Sequence, residues 1–243
     1  WSKIIDMRYL KIVLIVFLLP AIIGCEELTG ERGNGVVITK NFDIDDFNKI
    51  SVEGNFAIRL EKSNNPGVTI TTDENLMDFI SVESYGGKVS LISERNLISE
   101  DGVNVVVSYS ELGSISVGGA AILTSDQTIE EDYLDLDMSG AGAVELDLNM
   151  KALEINISGA GAMELTGQVV EQRIRMDGAG GLDAENLVSE KCEIESSGVG
   201  GAAIHVTDRL RASVSGVGGI TYRGNPFDVQ KDVSGIGTIQ PED

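Results

Sequence analysis

The sequence predicts an all-β, single-domain parallel β-helix, a solenoid with coils of roughly 19 residues, over residues 36–243. Three observations predict it. A glycine-centred motif recurs at a near-constant interval, apolar and polar residues alternate on both sides of each copy, and no stretch inside the array carries helical periodicity.

The motif begins at Ser139-Gly140-Ala141-Gly142, Ser158-Gly159-Ala160-Gly161 and Asp177-Gly178-Ala179-Gly180. It continues at Ser197-Gly198-Val199-Gly200, Ser215-Gly216-Val217-Gly218 and Ser234-Gly235-Ile236-Gly237. First glycines lie 19, 19, 20, 18 and 19 residues apart, and a degenerate copy precedes them at Gly118-Gly119. At fixed steps, glycines read as corners between strands and not as linkers, because a residue without a Cβ lets neighbouring coils approach closely.

Two residues before the first glycine of each copy stand Met138, Ile157, Met176, Ser196, Val214 and Val233. Four before stand Leu136, Ile155, Ile174, Ile194, Ala212 and Lys231; six before stand Leu134, Leu153, Gln172, Cys192, Leu210 and Val229. Polar residues such as Asp137, Asn156 and Arg175 fall between them. Period two means a strand with one buried face. A second alternating pair follows each corner, as in Val144/Leu146, Met163/Leu165 and Ile220/Tyr222. Each repeat thus supplies at least two short strands, and equivalent strands of successive coils stack in parallel. A right-handed coil is favoured, since no strict six-residue subperiod is present.

Residues 36–110 are less regular. Ile50-Ser51-Val52-Glu53-Gly54 with Ile58 and Leu60 fits the repeat template, and strand-like runs follow at 68–72, 79–83, 89–93 and 103–109. Gly86-Gly87 marks a hairpin turn. This region reads as opening coils with a longer excursion, continuous with the array.

Met7 to Cys25 carries Arg8 and Lys11 ahead of an apolar run, and ends in Ile22-Ile23-Gly24-Cys25, a lipobox. Residues 1–24 are therefore expected to be a cleaved signal peptide, with Trp1–Asp6 a gene-call artefact, and the Cys25 thiol to be diacylated. Residues 25–35 would then be a tether, placing an outer-membrane lipoprotein in the envelope of a diderm bacterium. Cys192 is the one other cysteine, so no intramolecular disulfide can form. Net charge is −21, and −23 once residues 1–24 leave with Lys3, Arg8, Lys11 and Asp6. Such a surface repels phosphate, which argues against nucleic acid as a partner; the membrane is reached through the lipid.

FNKISVEGNFAIRLEKS, then VTITTDENLMDFISVES and a hairpin, then serial SGAG and SGVG copies, and finally GITYRGNPFDVQKDVSGIGTI run in this order. Over residues 36–240 the chain resembles the head GIN domain family of auto-transporter adhesins, most specifically at Tyr222–Pro226. The resemblance implies a β-helix-type domain on exported or lipid-anchored proteins. It brings no catalytic or ligand residues with it.

Three features could carry chemistry. The outward column Asp135, Glu154, Arg173, Glu193, Arg211, Gln230 reads as a charge-neutralising ladder; an Arg with carboxylates in a groove would instead suit a carbohydrate-active β-helix enzyme, a lyase or hydrolase. Glu145, Glu164 and Asp183 stack without an interposed cation and read as a solvated acidic stripe more readily than as a Ca²⁺ site. His205 falls in an outward column with Asp147, Thr166, Glu185 and Arg223, without a partner for a catalytic dyad. The Gly-x-Gly copies join strand to strand and lack the helix a phosphate loop needs. Catalytic, cofactor and metal residues are accordingly expected to be none. The leading expectation is a non-enzymatic envelope module presenting an acidic β-helix surface to a glycan or envelope protein. The alternatives are the carbohydrate-active enzyme and a structural or stress-related envelope protein.

Overall fold

The computed structural model describes residues 30–242, so the signal peptide and Cys25 lie outside the described residues. From Glu31 the chain forms one compact unit. Its opening strands are β1 (Glu31–Arg32), β2 (Val37–Asp43), β3 (Lys49–Glu53), β4 (Ala57–Lys62) and β5 (Gly67–Asp73). A 3₁₀ turn, Glu74–Phe79, precedes β6 (Ile80–Tyr85), β7 (Lys88–Ser93), β8 (Leu97–Ile98) and β9 (Asn104–Tyr109). Then come β10 (Ser114–Val117), β11 (Ile122–Ser125), β12 (Ile129–Met138), β13 (Ala143–Ile157), β14 (Ala162–Met176) and β15 (Gly181–Ser196). The chain closes with β16 (Val199–Val214), β17 (Val217–Arg223), β18 (Asp228–Val233) and β19 (Ile236–Pro241).

From β10 onward every ladder is parallel, and each strand pairs with its equivalent one coil away, as in Leu134↔Leu153 and Ile155↔Ile174. The inward columns read from the sequence are buried: Leu136, Ile155, Ile174 and Ile194 are each at most 1% exposed. The solenoid is the predicted β-helix. The first glycines of the six corners, Gly140, Gly159, Gly178, Gly198, Gly216 and Gly235, are held by close approach rather than by left-handed backbone. A Cβ on Gly159 would overlap the carbonyl oxygen of Gly140, and one on Gly178 that of Gly159. The amide N–H of Ala160 meanwhile donates to Gly140 O at 3.0 Å, so the corners themselves are laddered.

The strand after one glycine corner and the strand before the next, expected as separate short strands, form single runs of 15 or 16 residues in β13 to β16. Each bends at a second corner. Val144, Leu146, Leu148 and Met150 are buried in β13, and then Leu153, Ile155 and Ile157. The buried set switches from even to odd numbers because Lys151, and Val170 and Glu190 beneath it, drop out of the ladder. No glycine marks this corner. A phase slip of one residue does the work, since side chains alternate strictly along a strand.

The 20- and 18-residue intervals are absorbed locally. Register breaks occur between Glu164 and Thr166 on β14, and between Ala184 and Val188 on β15. Gln172 and Ser189 are buried there, with Gln172 Nε2 donating to Ser189 Oγ at 2.9 Å and Ser189 Oγ donating to His205 O at 2.7 Å.

The N-terminal region shares the core but not the winding order. β3 and β4 stack directly on β10 and β11, as Ile50↔Ile115 and Ile58↔Leu123 show. β7 and β9, later in sequence, lie on the far side of β3 and β4. β6 then pairs antiparallel with β7 through the predicted hairpin, where Gly86 and Gly87 take φ of 61° and 74°. On the other face β5 pairs antiparallel with β9, and β2 with β5. The 3₁₀ turn joins β5 to β6 and buries Leu76 and Met77. Antiparallel strands and an apolar turn thus finish this end of the core.

Residues 31–35, expected to belong to the tether, are docked. β1 pairs with β8, and Gly35 N–H donates to the buried Asp73 Oδ1 at 2.6 Å. At the other end no described strand lies over the last coil: among the described residues β18 pairs only with β16, and β19 only with β17.

Candidate functional site

A trough of about 750 Å³ crosses β13 to β17 and β19 on the face that follows each glycine corner. Its floor is an in-register column of small residues: Ala143, Ala162, Gly181, Gly201 and Gly219, ending at Thr238. Side chains this small leave a channel where longer ones would fill the space between neighbouring columns. One wall is the column Glu145, Glu164, Asp183, Ala203, Thr221, Gln240. At the corner on the other side, Val199, Val217 and Ile236 stack and are 60%, 48% and 79% exposed. The trough is therefore acidic at its β13–β15 end and neutral at its β17–β19 end.

The floor glycines differ from the corner glycines. A Cβ on Gly201 would lie 3.5 Å from Gly219 O, and one on Gly181 4.0 Å from Gly201 O, both ordinary contacts. Nothing in the packing requires glycine there. What absence of a side chain preserves is the open channel.

The acidic wall stands apart electrostatically. Parallel stacking puts equivalent carboxylates about 4.8 Å apart, where like charges repel. Elsewhere the repulsion is answered. In the ladder Asp135, Glu154, Arg173, Glu193, Arg211, Gln230, the Arg173 guanidinium meets Glu193 at 3.2 Å, and Arg211 Nε donates to Gln230 at 3.4 Å. In the adjacent column Arg175 meets Glu154 at 2.9 Å. Arg223 lies between Glu185 at 2.9 Å and Glu242 at 3.1 Å. Among the described residues no cation pairs with Glu145, Glu164 or Asp183. Two carboxyls elsewhere are pushed above their usual range: Asp135, through lost hydration and then through Asp137 and Glu154, and Glu185, through lost hydration and then through Glu242.

The remaining sequence candidates are placed as follows. Cys192 is 3% exposed in the inward column with Gln172 and Leu210, and burial pushes its thiol up, away from the reactive thiolate. His205 pairs in register with Val188 and Arg223, while Glu185, expected in its column, lies in the irregular stretch of β15. His205 Nδ1 lies 3.2 Å from Glu185 O. A smaller hollow of about 330 Å³ does bring Arg211 together with Glu193, Glu195 and Asp232, but no aromatic side chain lines it. Cys25 lies outside the described residues. Sequence reasoning missed the trough floor. Its signal was present as a third glycine, Gly181, Gly201 and Gly219, directly after three of the corners.

Solved structures share this architecture. One described as a putative adhesin, from Bacteroides fragilis, has a TM-score of 0.82 at 25% identity, covering 88% of this chain and 100% of its own. Another described in the same words, from Parabacteroides merdae, gives 0.68 at 25% identity over 88% and 100%. A third, from Parabacteroides distasonis, is described as a putative lipid binding protein; at 22% identity and a TM-score of 0.74, over 87% and 99%, it shares the fold. No curated protein sequence matches the chain. The sequence profile described as "putative auto-transporter adhesin, head GIN domain" matches residues 46–226. With its glycine-cornered solenoid covered by that profile over most of its length, the chain belongs to the head GIN domain family.

Proposed function

We propose that this protein is a non-enzymatic binding module of the bacterial cell envelope, an adhesin in the plain sense. It is carried on a lipid at Cys25 and engages a glycan or an envelope protein along the trough. The observation that carries this reading is the contrast between the trough and the rest of the surface. Its floor is kept empty by glycines that packing does not require, and its wall holds carboxylates left without cations. Groups suited to chemistry are meanwhile engaged or buried: Arg173 and Arg175 by carboxylates, Cys192 by the core. Membership of an adhesin-described family supports the same reading.

The test is a binding and turnover comparison. Glycan arrays and envelope-protein extracts should give a ligand for the wild type that is lost in Gly181→Val/Gly201→Val, which fills the floor at positions where a Cβ meets only ordinary contacts. Reducing-end assays should show no sugar release. Release abolished by Arg211→Ala would favour the carbohydrate-active reading, for which the hollow beside Arg211 is the specific support. Fatty-acid labelling should tag the wild type and not Cys25→Ser; equal labelling would refute the anchor.

A further inference from the structure

The trough changes character halfway along, and both of its sides change together. Over β13, β14 and β15 the wall column is Glu145, Glu164 and Asp183, and the corner residues across the floor are Ala141, Ala160 and Ala179. Over β16, β17 and β19 the wall becomes Ala203, Thr221 and Gln240, and the corner residues become Val199, Val217 and Ile236. A charged wall beside small corner residues thus gives way to an uncharged wall beside an exposed aliphatic ridge. Three stacked aliphatic side chains in solvent are a patch and not a scatter, and such patches mark contact sites.

The dimensions restrict what can lie there. Six rungs at about 4.8 Å give a length of about 24 Å, the reach of about seven extended residues. The floor is one residue column wide, which suits a single unbranched chain. No aromatic side chain lines it, so sugar rings find no face to stack on. The three carboxylates meet no cation among the described residues; Asp183 accepts the Glu185 N–H at 3.3 Å. A neutral glycan gains nothing from them and an anionic one is repelled. Lysine and arginine instead bring positive charge on stems long enough to reach the wall from a chain lying on the floor.

We propose, resting on the reading of the trough as the binding site, that its occupant is one extended polypeptide segment, basic in one half and aliphatic in the other. The basic side chains lie against Glu145, Glu164 and Asp183, and the aliphatic ones against Val199, Val217 and Ile236. Alternate residues of an extended chain face the same way every ~6.7 Å, so two basic residues cover the acidic half, which is about 10 Å long. Charge decides which half of the segment lies over β13 to β15, and the ridge adds apolar burial over β16 to β19.

The experiment is fluorescence anisotropy on the full chain in mild detergent, with labelled Lys-Ala-Lys-Ala-Val-Ala-Val and its reverse to cover both chain directions. One of the two should bind, and the same peptide with glutamate for lysine should not. Glu145→Gln/Glu164→Gln/Asp183→Asn should weaken binding about tenfold, the loss expected for a few exposed ion pairs. Raising salt from about 20 to about 300 mM should weaken the wild type alone. Val217→Ser/Ile236→Ser should weaken binding severalfold and leave its salt dependence in place. All five positions are exposed or half-buried, and circular dichroism confirms that the variants fold. Binding by neither peptide, or binding indifferent to the carboxylates, overturns the polypeptide occupant. If a glycan then binds the wild type and not Gly181→Val/Gly201→Val, the trough stands as the site and only its occupant is wrong. If no ligand of any kind depends on the trough, the underlying reading falls with it.

Discussion

The glycine-cornered array and the N-terminal region bury the same kind of core by different means. From β12 to β19 each coil covers the previous one, and chain order is stacking order. In residues 36–125 the coil of β7 and β9 lies outside that of β3 and β4 although it follows them in sequence. The array is a one-dimensional stack in which a defect reaches only neighbours. The N-terminal region instead returns upon itself to make a cap, with contacts that tie residue 33 to residue 98 and residue 35 to residue 73.

The sharpest expected contrast, a change of sign, separates two uses of one residue type inside the array. Gly159→Ala places a methyl group on the carbonyl oxygen of Gly140, where only backbone could yield, and should destabilise by about 3 kcal/mol in denaturant unfolding. Gly201→Ala, on the open trough floor, should instead stabilise by roughly 0.5 kcal/mol by restricting the unfolded chain. Equal costs would remove the distinction between corner and floor.

The next contrast is between the middle of the stack and its open end. Ile155 is fully buried between coils, so Ile155→Ala should cost roughly 2–5 kcal/mol. Val229 has a coil on one side only, so Val229→Ala should cost under about 1 kcal/mol by the same unfolding measurement.

These contrasts also mark what the sequence made legible. The period, the inward columns, the hairpin at Gly86-Gly87 and the Arg173 ladder follow from alternation and spacing, which are local. The second corner at Lys151 was hidden because a one-residue phase slip leaves no special residue behind. The reversed order of the opening coils was hidden for a different reason. Which strand lies beside β3 is a long-range choice between β7 and β10, and both carry the same alternation. The trough was partly legible: its acidic column was named, but the third glycines were absorbed into the corners, where their steric role would have been different.

A smaller effect lies in the cap. The Tyr109 hydroxyl is buried without a hydrogen-bond partner, and burial, followed by the Glu131 charge, pushes it up to about 12. Raised in the folded state, this group gives stability that is intact below pH ~10, its unfolded value, and is lost as pH rises toward about 12. Tyr109→Phe should therefore flatten alkaline unfolding in that window. Near neutrality it should be neutral or stabilising by about 1 kcal/mol, as an unpartnered buried hydroxyl is removed. Thermal melts at both pH values check this.

The central claim is a stack with one closed end and one open end, and amide hydrogen exchange tests it most directly. Protection should be greatest in β13 to β16 and should fall through β17 to β18 and β19, whose outer edges pair with no described strand. At the chain's other extreme, β5 and β9 are each paired on both sides and should exchange slowly although they too lie at an end. If β18 and β19 are protected as strongly as β14, or if β5 and β9 fray first, the account of the two ends is contradicted.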